Sequence, residues 1–306
     1  MALLRLLAFF LLPLVIVSAA IAGCGEGADA GGSSGRIDVV AAEDFWGSIA
    51  AQLGGGEVEV TNIITNPAAD PHDYEPNSED AREMAAAEVA IVNGIGYDQW
   101  AQKLIDANPS SGRTVLDVGD LLGLEAGDNP HQWYSPASVH KVIDQITADY
   151  KQADPDHAAY FEQRKRQFET QGLAEYDDLI AQVKARYAGT PVGASESIFE
   201  PLAEALGLKL ITPPGFFDAV AEGTEPSPGE KAETDTQIED AEVAVWVYNS
   251  QNATPDVQRL NDAAAAAGVP VATVTETLTP EGASFQAWMA RQLRGLEQAL
   301  ARSGKG

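Results

Sequence analysis

The sequence predicts an α/β protein of two lobes that are joined by one long backbone helix. Short apolar runs rich in β-branched residues alternate with amphipathic helical stretches along most of the 306 residues, as in layered α/β proteins. One helical period continues from Asp154 to Ala188, which is longer than a small lobe requires. The roughly 270 residues that follow the N-terminal region are enough for two hydrophobic cores.

The N-terminal 36 residues predict export and anchoring. Residues 1–23 hold one charge, Arg5, and an uncharged apolar run that ends in small residues before Cys24, as in a secretory signal peptide. The junction resembles the bacterial lipoprotein signal, which implies that the membrane anchor is a lipid on Cys24; a signal anchor with an incidental cysteine is the alternative. Residues 24–36 are rich in Gly, Ala and Ser and predict a flexible tether.

The N-terminal lobe is predicted over residues 37–153. Four β-prone apolar runs predict strands, and three amphipathic stretches between them predict helices. Ser135-Pro136 then predicts the start of a helix that reaches Ala153, because proline suits a first helical turn. The strands are predicted at Ile37–Ala42, Val58–Ile64, Val89–Val92 and Thr114–Val118, and the helices at Phe45–Leu53, Ser78–Ala87 and Gln99–Asp106.

Residues 154–188 are predicted to form one helix that links the lobes. Asp154-Pro155 is a start signal, and apolar side chains recur at helical spacing with no further proline before Pro191. At 1.5 Å per residue, a helix of about 30 residues is about 45 Å long. Two helices broken at Gly172 are the alternative.

The C-terminal lobe is predicted over residues 189–306, where the alternation of strands and helices resumes. Residues 212–228 are rich in proline and glycine and predict a long loop, a type of loop that is often functional. The strands are predicted at Val192–Ser195, Lys209–Ile211, Val243–Tyr248 and Val271–Val274, and the helices at Pro201–Leu206, Glu230–Asp240, Pro255–Ala267 and Ser284–Arg302.

The acidic composition limits the classes of partner. The formal net charge is −27 at pH 7, and removal of residues 1–23 takes away Arg5 and no acid. Such a surface disfavours nucleic acids and anionic lipid headgroups as partners. It attracts cations diffusely without forming a site, so most of these carboxylates are best explained by solubility.

Two of the four histidines lie in matching local settings. His72 stands in Asp70-Pro-His-Asp-Tyr74, and His131 stands in Asn129-Pro-His-Gln-Trp133. Each follows an Asx-Pro turn and precedes an aromatic residue by two positions. Because such a turn is rigid, its imidazole is already oriented for a metal ion. Two surface turns that each happen to contain a histidine are the alternative.

Two carboxylates are distinguished from the other acids by their positions. Glu196 and Glu276 each follow a predicted strand, and ligands of open α/β sheets bind beyond the carboxyl ends of strands. Each residue taken alone is also compatible with a surface acid or a helix cap. His140 and His157 fall in predicted helices and are expected to be solvated or structural.

Five segments in series resemble the zinc- and manganese-binding solute receptors of bacterial ABC importers, and the resemblance covers residues 37–302. It implies two α/β lobes that are joined by one backbone helix. It also implies four metal ligands at the matching positions His72, His131, Glu196 and Glu276, the last of which is more often Asp in that family. The segments are Asp70–Pro76, Val92–Tyr97, Asn129–Trp133, Ser195–Phe199 and Thr275–Thr277.

The residues and this resemblance together predict a monomeric, extracytoplasmic lipoprotein that is not an enzyme. It is expected to bind Zn²⁺ or Mn²⁺, which suit nitrogen and oxygen donors, and to deliver the ion to the permease of an ABC importer. Zinc-specialised members of the family often carry a His-rich loop, whereas residues 67–80 contain only His72; this slightly favours manganese. A metal-dependent hydrolase with an open ligand position and a metal-binding surface adhesin are the alternatives.

Overall fold

The computed structural model describes residues 35–66 and 74–304. The predicted signal peptide, Cys24 and most of the tether lie outside these ranges, and so does His72. Within the described ranges, no helix combines the length and the apolar character needed to cross a membrane.

The N-terminal lobe is built on a parallel sheet with the strand order β2-β1-β3-β4. Ile37 of β1 pairs with Val58 of β2, and Val39 of β1 pairs with Val89 of β3. Parallel strands all end at the same edge of their sheet, so this edge collects the loops that follow them. The strands are β1 Ile37–Glu43, β2 Val58–Ile64, β3 Val89–Val92 and β4 Thr114–Asp117.

Helices cover this sheet, and several of them begin where the sequence supplies a cap. Asn77 and Asp80 form a capping box at the start of α2, and the Ser135 side chain accepts from the backbone N–H of Ser138 at the start of α5. The helices are α1 Asp44–Gly54, α2 Ser78–Ala86, α3 Gln99–Ala107, α4 Val118–Leu122 and α5 Pro136–Ala153.

The connection between the lobes differs from the single α-helix that was predicted. A 3₁₀ turn leads into α6 (Ala158–Gln167), a π-helical turn covers Phe168–Gly172, and α7 (Ala174–Tyr187) follows. The backbone N–H of Leu173 bonds the carbonyl of Phe168, five residues back, which is the π-helical pattern. The irregular turn ends at Gly172, where the alternative hypothesis placed a break, and a β-carbon there would lie 2.8 Å from the Phe168 ring.

The C-terminal lobe repeats the architecture with the strand order β6-β5-β7-β8, again fully parallel. The region 212–228, predicted as a loop, contains the helix α9, whose buried Phe216, Phe217 and Val220 pack into a core of this lobe. The strands are β5 Pro191–Ala194, β6 Lys209–Leu210, β7 Trp246–Asn249 and β8 Val271–Val274. The helices are α8 Glu200–Leu206, α9 Pro214–Ala221, α10 Pro228–Glu239, α11 Pro255–Ala266 and α12 Phe285–Ser303.

One buried cluster of apolar side chains continues from the first lobe into the second. The Tyr134 ring meets the Trp288 ring edge-on, with 5.9 Å between centroids. The Tyr134 hydroxyl also donates a 2.9 Å hydrogen bond to the carbonyl of Thr275. The two lobes therefore share a core beside the segment that precedes Glu276. Two parallel-sheet α/β lobes confirm the predicted fold class.

Candidate metal site

His131 lies fully buried in the turn that precedes α5. Its Nδ1 is 2.8 Å from Asn129 Oδ1. The orientation of the Asn129 amide is fixed because its nitrogen donates to the Ser197 carbonyl and to Glu200 Oε2. An amide oxygen can only accept, so His131 carries its proton on Nδ1, and Nε2 is the atom with a lone pair for a metal ion.

Aromatic rings surround this imidazole, as the Pro-His-x-aromatic motif predicts. The Tyr97 and Trp133 rings meet the His131 ring edge-on, at centroid distances of 6.1 and 5.3 Å. Phe45 stacks on Trp133, with 3.9 Å between the ring centroids. The histidine therefore sits in a dry, rigid wall that limits movement of its ring.

Glu196 and Glu276 follow β5 and β8 at the carboxyl edge of the second sheet, and both side chains are buried. Asn249, the last residue of β7, donates its amide protons to Oε1 of both carboxylates, at 2.9 Å in the case of Glu276. Since β5 and β8 flank β7, these two carboxylates meet at the central strand. The rule of strand ends thus selects two acids that are neighbours in space.

The first lobe reaches this carboxylate pair directly. The Tyr97 hydroxyl donates a 3.0 Å hydrogen bond to Glu276 Oε2, and His131 Nε2 lies 3.7 Å from Glu276 Oε1. Three of the four predicted ligands are therefore brought together, and the fourth, His72, lies outside the described residues. Within residues 35–66 and 74–304, no group of three or more His, Cys, Asp or Glu side chains is arranged so that it could hold a metal ion, so His131, Glu196 and Glu276 do not by themselves form such a group.

Burial shifts the pKa values of the two ligand types in opposite directions. Loss of water lowers the pKa of His131 to about 4, despite the nearby charges of Glu196 and Glu200. Burial first, and the charge of Glu276 second, raise the pKa of Glu196 to about 8. At neutral pH the imidazole is therefore neutral and ready to bind, whereas the carboxylate pair retains a proton. A dication between the carboxylates would stabilise both in their ionised form, so that the proton would leave.

A cleft of about 470 Å³ leads from solvent to His131 between the two lobes. Its rim carries the acidic side chains of Asp128, Glu200, Asp218 and Glu222. Burial, followed by the charges of Glu200 and Glu222, raises the pKa of Asp218. The cleft is thus a negatively charged entrance, which concentrates cations.

The other two histidines lie on the surface, as expected. The His140 side chain is 41% exposed and lies 3.9 Å from Glu169 and from Asp177. The His157 side chain is 47% exposed and pairs with Asp154 in the 3₁₀ turn before α6. Neither is connected with the carboxylate pair.

Sequence reasoning missed the neutral residues that hold the ligands. Asn249 ends a strand that was predicted, so the argument from strand ends that selected Glu196 and Glu276 also applies to it. Asn249 is neutral, however, and only charged residues at strand ends were predicted as ligands. Tyr97 and Asn129 lie in motifs that were recognised, but their roles depend on contacts between lobes that no local pattern contains.

The comparison with protein families decides the family of this chain. The model of "Zinc-uptake complex component A periplasmic" (ZnuA) matches residues 39–299, which span both lobes. The chain belongs to this family. The family match agrees with the resemblance in the sequence and with the paired parallel sheets.

Curated relatives of the ZnuA-family chain include proteins named for different metals. The manganese-binding lipoprotein MntA of Halalkalibacterium halodurans is 29% identical over 154 residues, covering 48% of this chain and 50% of the relative. The zinc-binding lipoprotein AdcA of Streptococcus pneumoniae TIGR4 is 24% identical over 283 residues, covering 81% of this chain and 53% of the relative. The chain thus spans about half the length of the curated relatives it matches.

Solved structures share the fold. The Mn-bound periplasmic metal binding protein from Candidatus Liberibacter asiaticus superposes with a TM-score of 0.71 at 20% identity, over 87% of this chain and 99% of the other. SBP FpvC from Pseudomonas aeruginosa in complex with Mn²⁺ superposes with a TM-score of 0.70 at 22% identity, over 88% and 100%. At these identities the likeness establishes the two-lobe fold alone.

Proposed function

We propose that this chain is an extracytoplasmic receptor that binds one Zn²⁺ or Mn²⁺ ion between its lobes and delivers it to the permease of an ABC importer. One observation carries the proposal: a neutral imidazole and two buried carboxylates meet where the ends of both sheets face each other. Two carboxylates this close need a positive charge in order to ionise together. A divalent cation supplies that charge, and His131 Nε2 supplies a nitrogen ligand.

The proposed ligands are His72, His131, Glu196 and Glu276. Two imidazoles and two carboxylates suit zinc, manganese and iron, and disfavour copper(I). The relatives named for zinc and for manganese support the same range of metals. We favour Zn²⁺ or Mn²⁺ as the transported ion, with selectivity set by geometry and availability, since zinc binds most nitrogen and oxygen sites at least as tightly as manganese.

Membership in a metal-uptake family favours the receptor over the metal-dependent hydrolase. For delivery to a membrane permease, the receptor is proposed to be held at the outer face of the membrane by a lipid on Cys24. The names of two lipoprotein relatives support this anchor. Cys24→Ala should release the protein from the membrane fraction of its native host, whereas retention with normal processing would argue against lipidation.

Metal binding is tested with protein stripped of metal by a chelator. Native mass spectrometry should detect one Zn²⁺ or Mn²⁺ per chain. By mass action the ion should raise the free energy of unfolding by about 4 kcal/mol at a thousandfold excess over the dissociation constant, and the melting temperature should rise with it. His72→Ala should lose most of this stabilisation. Several weakly bound ions per chain, with no stabilisation, would contradict the proposal.

Transport is tested in cells that lack the gene. Uptake of radioactive Mn²⁺ or Zn²⁺ should fall in the deletion strain and return with the wild-type chain, but not with Glu196→Ala. Normal uptake in the deletion strain, combined with reduced attachment to surfaces, would favour the adhesin.

A further inference from the structure

The segment Asn249–Asn252, which follows the central strand β7, supplies hydrogen-bond donors to both carboxylates of the site. Asn249 is fully buried, and its Nδ2 donates to Glu196 Oε1 and to Glu276 Oε1. Asn252 Nδ2 donates to Glu196 Oε2 at 2.8 Å. The Tyr97 hydroxyl donates to Glu276 Oε2 from the other lobe. All four carboxylate oxygens therefore accept a hydrogen bond from a neutral group.

The Asn249 amide cannot turn away from the carboxylates without breaking other contacts. Its Oδ1 accepts a 3.0 Å hydrogen bond from the backbone N–H of Gln251, and its own backbone N–H donates to Ser195 Oγ. The Gln251 side chain in turn accepts from the backbone N–H groups of Glu276 and Thr277. The segment is therefore locked to the backbone beside both ligands.

An amide is well suited to this position because it donates two protons and carries no charge. Aspartate would add a third negative charge, and lysine would place a permanent cation where the metal ion is needed. Alanine would leave two buried carboxylates facing each other without a shared donor, and like charges at such a distance move apart or retain a proton. Of these, only the amide steadies the pair without replacing the metal ion.

We propose that Asn249 is a positioning residue that holds Glu196 and Glu276 side by side before the metal ion arrives, with Asn252 fixing the second oxygen of Glu196. This inference rests on the proposed function as a metal receptor. Each carboxylate oxygen can accept from a donor and still bind a metal through its other lone pair. The C-terminal half of the site is thus assembled in advance, which reduces the cost of ordering it on binding.

The test compares Asn249→Ala with Asn261→Ala in the full chain. Asn261 lies in α11 of the same lobe, is half-buried, and accepts a hydrogen bond from Trp246 Nε1, so its loss removes a comparable contact away from the carboxylates. Co²⁺ is the probe, because its visible absorption spectrum reports the number and geometry of its ligands. Affinity is measured by competition with a chelator, and folding by circular dichroism.

We expect Asn249→Ala to bind one Co²⁺ with about 10–100-fold lower affinity, as for other residues that orient metal ligands, and with an altered spectrum. Asn261→Ala should match the wild type in both. Asn249→Ser retains one donor, so its Co²⁺ affinity and spectrum should lie between those of the wild type and of Asn249→Ala. If Asn249→Ala does not fold, Asn249→Ser is compared with the wild type by the same criteria. Wild-type affinity and spectrum in the Asn249 variants would overturn the inference. Failure of the wild type to bind one Co²⁺ would instead overturn the proposed function.

Discussion

Burial shifts the pKa values of the proposed ligands in opposite directions in the two lobes. In the first lobe, His131 is neutral because the loss of water lowers its pKa to about 4, and Asn129 directs its Nε2 lone pair to the site. In the second lobe, burial and the charge of Glu276 raise the pKa of Glu196 to about 8. In the proposed site the imidazole would therefore bind a metal ion without losing a proton, whereas the carboxylate pair would have to lose one.

Because the two kinds of ligand differ in charge, different contacts are needed to orient them when no metal ion is present. The uncharged His131 is oriented by the Asn129 amide and packs against aromatic rings. The carboxylates repel each other and are held by donors from three directions, namely Asn249, Asn252 and Tyr97. We therefore expect the pH dependence of metal affinity to come mainly from the second lobe.

The largest effect is expected from removing a ligand from either lobe. His131→Ala and Glu196→Ala should each lower metal affinity by more than about a hundredfold, because loss of a mere supporting partner already costs about 10–100-fold. His140→Ala and His157→Ala, at exposed positions, should leave the affinity unchanged. Competition with a chelator measures all four. Equal losses for surface and buried histidines would mean that binding is diffuse.

The pH dependence of metal affinity shows which lobe carries the proton that competes with the metal ion. The metal ion must displace the proton of Glu196, so affinity should rise by up to about tenfold per pH unit as pH increases towards 8, and then level off. His131 should compete only near pH 4, since its pKa is about 4. Chelator competition at pH 6, 7, 8 and 9 measures the curve. A plateau from pH 6.5 upward would indicate that histidine protonation controls binding.

The Asn129→Ala variant tests how strongly the first lobe depends on the amide that orients His131. Asn129→Ala removes the acceptor of His131 Nδ1–H and the donor to Ser197 and Glu200, so affinity should fall by about 10–100-fold. Asn108→Ala is the control, because the Asn108 side chain donates to the Leu104 carbonyl at the end of α3, away from the carboxylate pair. Calorimetric titration with Mn²⁺ compares them, and equal affinities would show that the aromatic wall alone orients His131.

The smallest effect concerns the connection between the lobes. Gly172→Ala should destabilise the protein by about 1 kcal/mol, because the new methyl group would meet the Phe168 ring, 2.8 Å away. Gly295→Ala in α12, where nothing lies within 4 Å of the new atom, should instead stabilise it by up to about 1 kcal/mol. Urea denaturation measures both. A stabilising Gly172→Ala would show that the π turn adapts without strain.

Local pattern and position in the sheet made much of this site predictable. Strand bounds such as Val58–Ile64 follow from β-branched runs, and parallel strands place Glu196 and Glu276 at one edge. The π turn at Phe168–Gly172 was not predictable, because helical periodicity hardly differs between a regular helix and one with an extra residue in one turn. The contact of Tyr97 with Glu276 was also beyond prediction, since it depends on how the lobes meet.

The most direct test of the account is a crystal structure of the Zn²⁺-loaded chain, with data collected on both sides of the zinc absorption edge. The anomalous difference map should contain one strong peak between the lobes, within about 2.2 Å of His131 Nε2 and of an oxygen from each of Glu196 and Glu276. His72 should complete the set of ligands. A peak on the acidic rim at Glu200, Asp218 or Glu222, with none at His131, would contradict the account.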